Sequence, residues 1–486
     1  MLSEALRPGL GRQPFCRWET ASKAAKSVAV SLMLIPLLPD FIAPFLMPLS
    51  FFFCLFSKGG RARLKGLFAR NQSVVWCFLA FVFLSVVFVS SASAIGPSVL
   101  TALLWVVCFL AMLGTAASVE NTNELHLALS GLYIGILISA VLAVCQAIHF
   151  STGMPFPNPF WVPMEQALID AIPFLEVDLK FVAERSTAAF TNSGVFGFYL
   201  AMSVPLCFYL IARAEGRRQQ LLYAIPLLAA SVSLAVTYSR MSYITFLAVI
   251  FLLLIGYTAV HFYRLSAAKR AMIVGGMTLS IPLICFLLLF LVPASVRDRF
   301  LSAFHTDNSI NVRFALWQAS AWLLLVKEPI RLLIGFGTGV QNTWDRFRQI
   351  AFLQVQGQSL IQPHAHNLAI QLLLEGGIFR LLSFVVLMVV CFRACFRDFG
   401  SRSRKGKYFL ISLSGFFAAL LLNGLTDYVF VDPKICYYFA AVMGFLPILS
   451  RFTFPEDRTE PEDPFRRRKK KGSGKKHMRR KTEKNA

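Results

Sequence analysis

Three short polar stretches interrupt an otherwise strongly apolar chain, and each holds side chains able to do chemistry. The first is Thr237-Tyr238-Ser239-Arg240, between two apolar runs. The second sets Arg313 and Trp317 at the i, i+4 spacing that makes neighbours on a helix. The third is Pro363-His364-Ala365-His366-Asn367, followed by the apolar run Leu368–Leu374 and then Glu375-Gly376-Gly377. Neutral imidazole can take a proton from a hydroxyl, and a neighbouring asparagine can orient the ring or a substrate. A guanidinium fork grips phosphate oxygens in pairs and stabilises the charge that grows on a departing diphosphate. The combination implies transfer from a phosphate-activated donor to a hydroxyl. Two histidines at i, i+2 also invite a metal reading, but no Cys, Asp or third His of suitable spacing stands nearby, so no metal site is expected.

The elements that must position these groups are membrane spans. Of 486 residues, 56% are hydrophobic and 15% charged, and the mean hydropathy is +0.62, which excludes a secreted or cytosolic enzyme. Long unbroken apolar runs exclude a transmembrane barrel, whose strands alternate. Apolar runs place helices at about 74–94, 97–117, 126–149, 192–212, 221–238, 242–262, 272–293, 377–396, 408–426 and 434–450. The stretch 27–57, interrupted by Pro36, Pro39 and Asp40 and flanked by basic residues at both ends, reads as a short hairpin of two further helices. The expected fold is therefore all-α: a polytopic bundle of about 12 spans with a helical extracytoplasmic cap.

Basic connections assign the sides. Those at 58–73, 213–220, 263–271 and 397–407 fall on one side together with both termini, which makes that side cytoplasmic. Segment 1–26 is then a cytoplasmic leader, 27–293 carries the first nine spans with an exported loop at 150–190, 294–366 is a large exported loop, and 367–450 carries the last three spans. From Arg466 to Lys484 there are twelve Lys or Arg and one Glu, so nearly half of the net charge of +23 sits in a basic tail, 451–486, suited to anionic lipid headgroups rather than nucleic acid. The ten cysteines show no metal spacing, and none lies in the two long polar loops, so they behave as small core hydrophobes.

On this topology the three polar stretches lie at the exported face, where intramembrane charge is costly and cationic residues are disfavoured. Each retains a plainer reading: Arg240 as an interface anchor, Arg313 as a solvated residue of an amphipathic helix. Residues 311–327 put Val312, Leu316, Ala319 and Leu323 on one face of that helix. Gly335, Gly337 and Gly339 then read as a flexible turn.

These residues resemble the O-antigen ligase and O-antigen polymerase family of bacterial inner-membrane glycosyltransferases. The likeness rests on Thr237-Tyr238-Ser239-Arg240, on Arg313-Phe314-Ala315-Leu316-Trp317 leading to Gly335-Phe336-Gly337-Thr338-Gly339, and on His366-Asn367 followed by Glu375-Gly376-Gly377. Phe190-Thr191-Asn192-Ser193-Gly194 resembles the segment before this core, without the family's usual proline. The resemblance implies a metal-independent, inverting transferase with no cofactor. Its donor would be an undecaprenyl-diphosphate-linked glycan and its acceptor a glycan or lipid hydroxyl outside the cytoplasmic membrane. His366 would be the general base, and Arg240 and Arg313 would hold the donor diphosphate. One departure is Arg380, where the family often has a small residue or tyrosine.

Five residues are supporting candidates. Arg185 is a third phosphate contact or a loop anchor, His364 a hydrogen-bond partner or spectator, and Asn367 an orienting amide. Asp427 orients a histidine or arginine or caps a helix, and Trp317 packs or stacks on a sugar. Ligase and polymerase are not separable from these motifs. A transporter or flippase of lipid-linked oligosaccharide is the alternative from another class, and it predicts charges lining the span interiors and broken helices. A peptidoglycan polymerase would need an acidic catalytic residue on an exported loop, and its motifs are absent.

Overall fold

The computed structural model describes residues 21–39, 42–46, 48–69, 72–152, 185–190, 192–262, 268, 272, 308–350 and 363–452. Among them the chain is all helical, with no strand. Its helices in chain order are α1 (Lys23–Leu34), α2 (Ala43–Leu46), α3 (Leu49–Phe56), α4 (Lys58–Ala69), α5 (Ser73–Val87), α6 (Ile95–Ser118), α7 (Thr122–Thr152) and α8 (Ser193–Arg213). They continue as α9 (Arg217–Thr237), α10 (Arg240–Phe262), α11 (Asn308–Trp322), α12 (Arg331–Ile334), α13 (Val340–Phe347), α14 (Leu368–Phe396), α15 (Arg404–Gly424) and α16 (Pro433–Met443).

Nine helices among the described residues are long and apolar enough to cross a membrane, and they correspond to nine of the ten apolar runs. The tenth run, 272–293, lies outside the described residues except for Met272, as do segment 1–20, most of the exported loop 150–190, residues 294–307 and the tail from 453. The 27–57 stretch forms the short helices α1, α2 and α3, with turns at the prolines. Caps follow the sequence closely: Asn192 accepts from Gly194 N–H, Asn367 from Ile370 N–H, Ser403 from Gly406 N–H and Asp432 from Lys434 N–H.

Helices α8 and α16 form the bundle's centre. In the most apolar window around α16, 89% of residues are buried, against 28% for α10, whose outward face presents Ile244, Phe251, Leu252 and Ile255. Helix α8 packs against α9, α10 and α15, while α6 packs against α3 and α16. Among the described residues, the basic connections 58–73, 213–220 and 397–407 lie at one end of this bundle. There Arg63 pairs with Glu120 at 2.7 Å and donates to Ala117 O, Arg451 donates to Ala116 O, and Lys405 pairs with Glu215 at 2.9 Å. The three polar stretches lie at the opposite end, where α8, α10, α14 and α16 all begin.

The glycine motifs explain each other through packing. Helix α14 starts at Leu368, earlier than its apolar run suggested, and breaks at Gly376 and Gly377, the latter with φ +62°. The break releases the carbonyls of Leu374 and Glu375 from the helical ladder. Phe336 N–H donates to the first at 2.6 Å and Gly337 N–H to the second at 3.1 Å. A Cβ on Gly335 would collide with Gly376 N, and one on Gly377 with Leu333 O. The Gly335–Gly339 segment is thus docked onto the break and is not the flexible turn its glycines suggested.

Arg380, the departure from the family pattern, is wholly buried one turn beyond the break and pairs with the equally buried Glu375 at 2.8 Å. Its Nη1 also donates to Thr338 Oγ1, which donates to Ser85 O, and its guanidinium faces the ring of Phe81. Arg380 therefore locks the glycine segment to α14.

Candidate functional site

His366 closes the turn before α14 with φ +47°. Three non-glycine residues among the described residues have positive φ, and the other two, Ala188 and Tyr238, stand beside Arg185 and Arg240. Such strain persists only where surrounding contacts over-determine it, and it gathers at functional sites.

The contacts at His366 are specific. Its Nδ1 lies 2.9 Å from Asp427 Oδ1, and its backbone N–H donates to His364 Nδ1 at 3.3 Å. Asp427 Oδ1 also accepts from Tyr428 N–H, so the carboxylate cannot swing freely. Because an ionised carboxylate only accepts, the His366 ring carries its proton on Nδ1, and Nε2 keeps its lone pair. Nothing else among the described residues binds Nε2, and the side chain remains 21% exposed.

Ala365 between the two histidines is clamped from both sides. Its N–H donates to Gln371 Oε1 at 3.0 Å, and its carbonyl accepts from Trp317 Nε1 at 2.9 Å. Trp317 thus takes a role that neither sugar stacking nor lipid packing anticipated: it ties α11 to the histidine turn, with Phe314 edge-on to its ring. Gln371 extends the clamp inward, donating to Thr343 Oγ1 and Glu375 Oε1, both at 3.0 Å. Asn367 caps α14 and donates to Leu425 O, so the amide expected to orient the ring fixes the backbone around it instead. Val312, Leu316, Ala319 and Leu323 form the expected inner face of α11, with the last three fully buried.

Electrostatics sort the titratable groups. Burial, reinforced by His366, pushes the His364 imidazole down to about 3 although Asp427 pulls the other way, so His364 is neutral at physiological pH. Burial alone would lift the Asp427 carboxyl, but the electrostatic interaction and hydrogen bond with His366, with His364 and Arg313, outweigh it and hold it well below the usual carboxylate range. Arg313 is therefore close enough to act on both His364 and Asp427.

Arg185 and Arg240 form a second group. Burial first, and then Arg240, depress the Arg185 guanidinium, which places two cations together and partly out of water. The segment carrying Arg185 is held by Gln146, which accepts from Thr187 and Ala188 N–H and donates to Ala188 O. Lys434, fully buried, donates to Ala189 O. Sequence reasoning missed Gln146, Gln371 and Lys434. A polar side chain inside an apolar run was the available signal. The connection between α15 and α16 and the first turn of α16 bridge the two groups, with Asp427 at the histidines and Lys434 at the Arg185 segment. With four helix N-termini at this end, the arrangement suits an anion held beside a neutral base.

The fold and this site define a multi-pass helical membrane protein with a basic, histidine-centred site at one end of its bundle. Residues 225–385 match the family model described as O-antigen ligase, a match over about a third of the chain that supports assigning this segment to that family. The match spans Arg240, Arg313, Trp317, both glycine motifs, His366 and Arg380, while Arg185 and Asp427 lie outside it. Comparison with curated proteins gives no significant match.

Proposed function

We propose that this protein transfers a glycan from an undecaprenyl-diphosphate-linked donor to an acceptor hydroxyl at the outer face of the cytoplasmic membrane, with both termini inside. The observation that carries the reading is the His366–Asp427 hydrogen bond, which commits Nδ1 and leaves Nε2 as a base. Nε2 takes the acceptor proton as the oxygen forms its bond to the anomeric carbon. The bond from that carbon to the diphosphate breaks, and its electron pair leaves on a phosphate oxygen that Arg240, Arg313 and Arg185 neutralise. Attack opposite the leaving group inverts the anomeric centre, and the guanidinium forks meet the charge without a resident metal.

One observation favours transport instead. The Glu375–Arg380 pair at a broken helix is what the transporter alternative anticipated. Both side chains are fully enclosed, however, with Gly335–Gly339 docked over them, so they line no path through the bundle.

Glycan profiling in cells lacking the protein separates the two readings. Wild type should restore a ladder or capped surface product, while Arg240→Ala and Arg313→Ala at equal abundance should lose it and accumulate lipid-linked donor outside. Donor accumulating on the cytoplasmic face would instead establish transport. A smaller effect is expected for Trp317→Phe, which keeps the ring and removes the hydrogen bond to Ala365. A neutral hydrogen bond worth about 0.5–1.5 kcal/mol predicts a transfer slower by at most roughly two- to tenfold, alongside a modest loss of thermal stability. An unchanged rate would show that the clamp does not position His366.

A further inference from the structure

Three ligand-capable side chains converge here, two from the His364-Ala365-His366 turn and one from a distant segment. A ring nitrogen of His364, one of His366 and a carboxylate oxygen of Asp427 all lie within 4.8 Å of one another, with His366 Nδ1 to Asp427 at 2.9 Å and His364 Nδ1 to Asp427 at 3.7 Å. The chain supplies the first two through the positive-φ turn at His366 and the third from beyond α15, 61 residues away. We propose that these three residues form an inhibitory site for a divalent transition-metal ion of the zinc type. This goes beyond glycan transfer, since binding of the ion does not depend on what the protein acts on.

Two imidazole nitrogens and one carboxylate oxygen are a donor set that zinc accepts, with bonds of about 2.0–2.2 Å and a fourth position left to water. Metal–ligand bonds of that length at tetrahedral angles put neighbouring donors about 3.3–3.5 Å apart, so the observed separations need only small side-chain adjustments. His364 Nδ1 accepts a long, 3.3 Å hydrogen bond from His366 N–H, so it is unprotonated, and an ion there would displace that bond. The histidine and aspartate side chains are 10%, 21% and 24% exposed, which leaves an approach from the aqueous side. Trp317 and Gln371 hold Ala365 and so keep the two rings together, their centroids 4.2 Å apart.

Inhibition follows from the tautomer. In the hydrogen-bonded state His366 carries its proton on Nδ1 and keeps Nε2 free. An ion bound at Nδ1 requires that nitrogen's lone pair, so the ring proton moves to Nε2, and the ring stays neutral with no net proton released. With a proton on Nε2 the ring can no longer accept one from a hydroxyl. The ion also takes the carboxylate that otherwise orients the ring.

Cobalt(II) is the direct probe, because its visible ligand-field bands report coordination by nitrogen and oxygen donors. The full chain, purified in detergent through a tag without histidines, should bind one cobalt ion that zinc displaces and magnesium does not. His364→Asn should weaken binding by at least the roughly 10–100-fold that an outer-shell partner is worth, and Asp427→Asn should do the same. Circular dichroism and thermal unfolding of both variants confirm that they fold. Absence of the bands, or bands unchanged in His364→Asn, would overturn the site. Zinc should also stop glycan transfer by wild type, reversibly with a chelator, and should do so less effectively in His364→Asn relative to that variant's own metal-free rate. Binding that leaves wild-type transfer untouched would overturn the inhibitory role.

Discussion

Replacing His366 by alanine is expected to slow glycan transfer by roughly 10²–10⁴-fold, the range over which a positioned general base acts. The loss should fall on turnover, because in the proposed mechanism the imidazole meets the acceptor proton while Arg240, Arg313 and Arg185 meet the donor diphosphate. His366→Gln should be nearly as slow, since a neutral amide can hydrogen-bond but cannot take up a proton. The measurement is the initial rate of transfer in proteoliposomes loaded with lipid-linked donor and saturating acceptor, with the donor KM determined alongside. A donor KM within about threefold of wild type would agree with a base that acts only as the proton moves. If both variants retained more than about a third of the wild-type rate, the proton would have to go elsewhere, and the His366–Asp427 hydrogen bond would be structural alone.

Arg380→Met is expected to destabilise the protein by about 3–5 kcal/mol, the cost of leaving a buried carboxylate without its cation. Glu375 would keep its hydrogen bond from Gln371 and lose the ion pair, while Thr338 would lose the guanidinium that holds it beside α14. The informative partner is the double variant Glu375→Gln with Arg380→Met, which removes both charges. Buried pairs replaced together are often neutral in stability, so the double variant should recover most of the loss that the single one suffers. Thermal unfolding in detergent, followed by loss of the monodisperse peak, reads both. Equal stability of Arg380→Met and wild type would show that the pair does not hold the Gly335–Gly339 segment on the break in α14.

The spans were legible because hydrophobicity is local. A run of apolar residues long enough to cross the bilayer must be helical there, whatever its neighbours do, since every backbone group has to be satisfied within the segment. Among the described residues nine such runs are helices, and the basic connections 58–73, 213–220 and 397–407 lie at one end of the bundle. His366, Arg240 and Arg313 stood out as candidates for a related reason: ionisable groups beside the membrane are expensive and therefore few, so each one asks for a function. The resemblance added an expected role for each and did not supply its neighbours.

Those neighbours required the tertiary structure. Asp427 was visible as a charge at the end of a span, but its choice of His366 over an arginine depends on how α14 and α15 pack. The glycines of Gly335–Gly339 were read as freedom, yet their positive φ values fit a single docked shape against Gly376 and Gly377. Arg380 read as a misfit in an apolar helix until Glu375 and Thr338 stood beside it. Trp317 found its partner 48 residues away, on a carbonyl that any residue could have offered. Apolar periodicity and charge bias act on each segment separately and so were written in the sequence. Hydrogen bonds and ion pairs are short and directional, and they form only after packing has brought distant segments within about 3 Å. The spans and the chemical groups at their ends were determined by the sequence alone; which group orients the base and which charge locks the broken helix were decided by the fold.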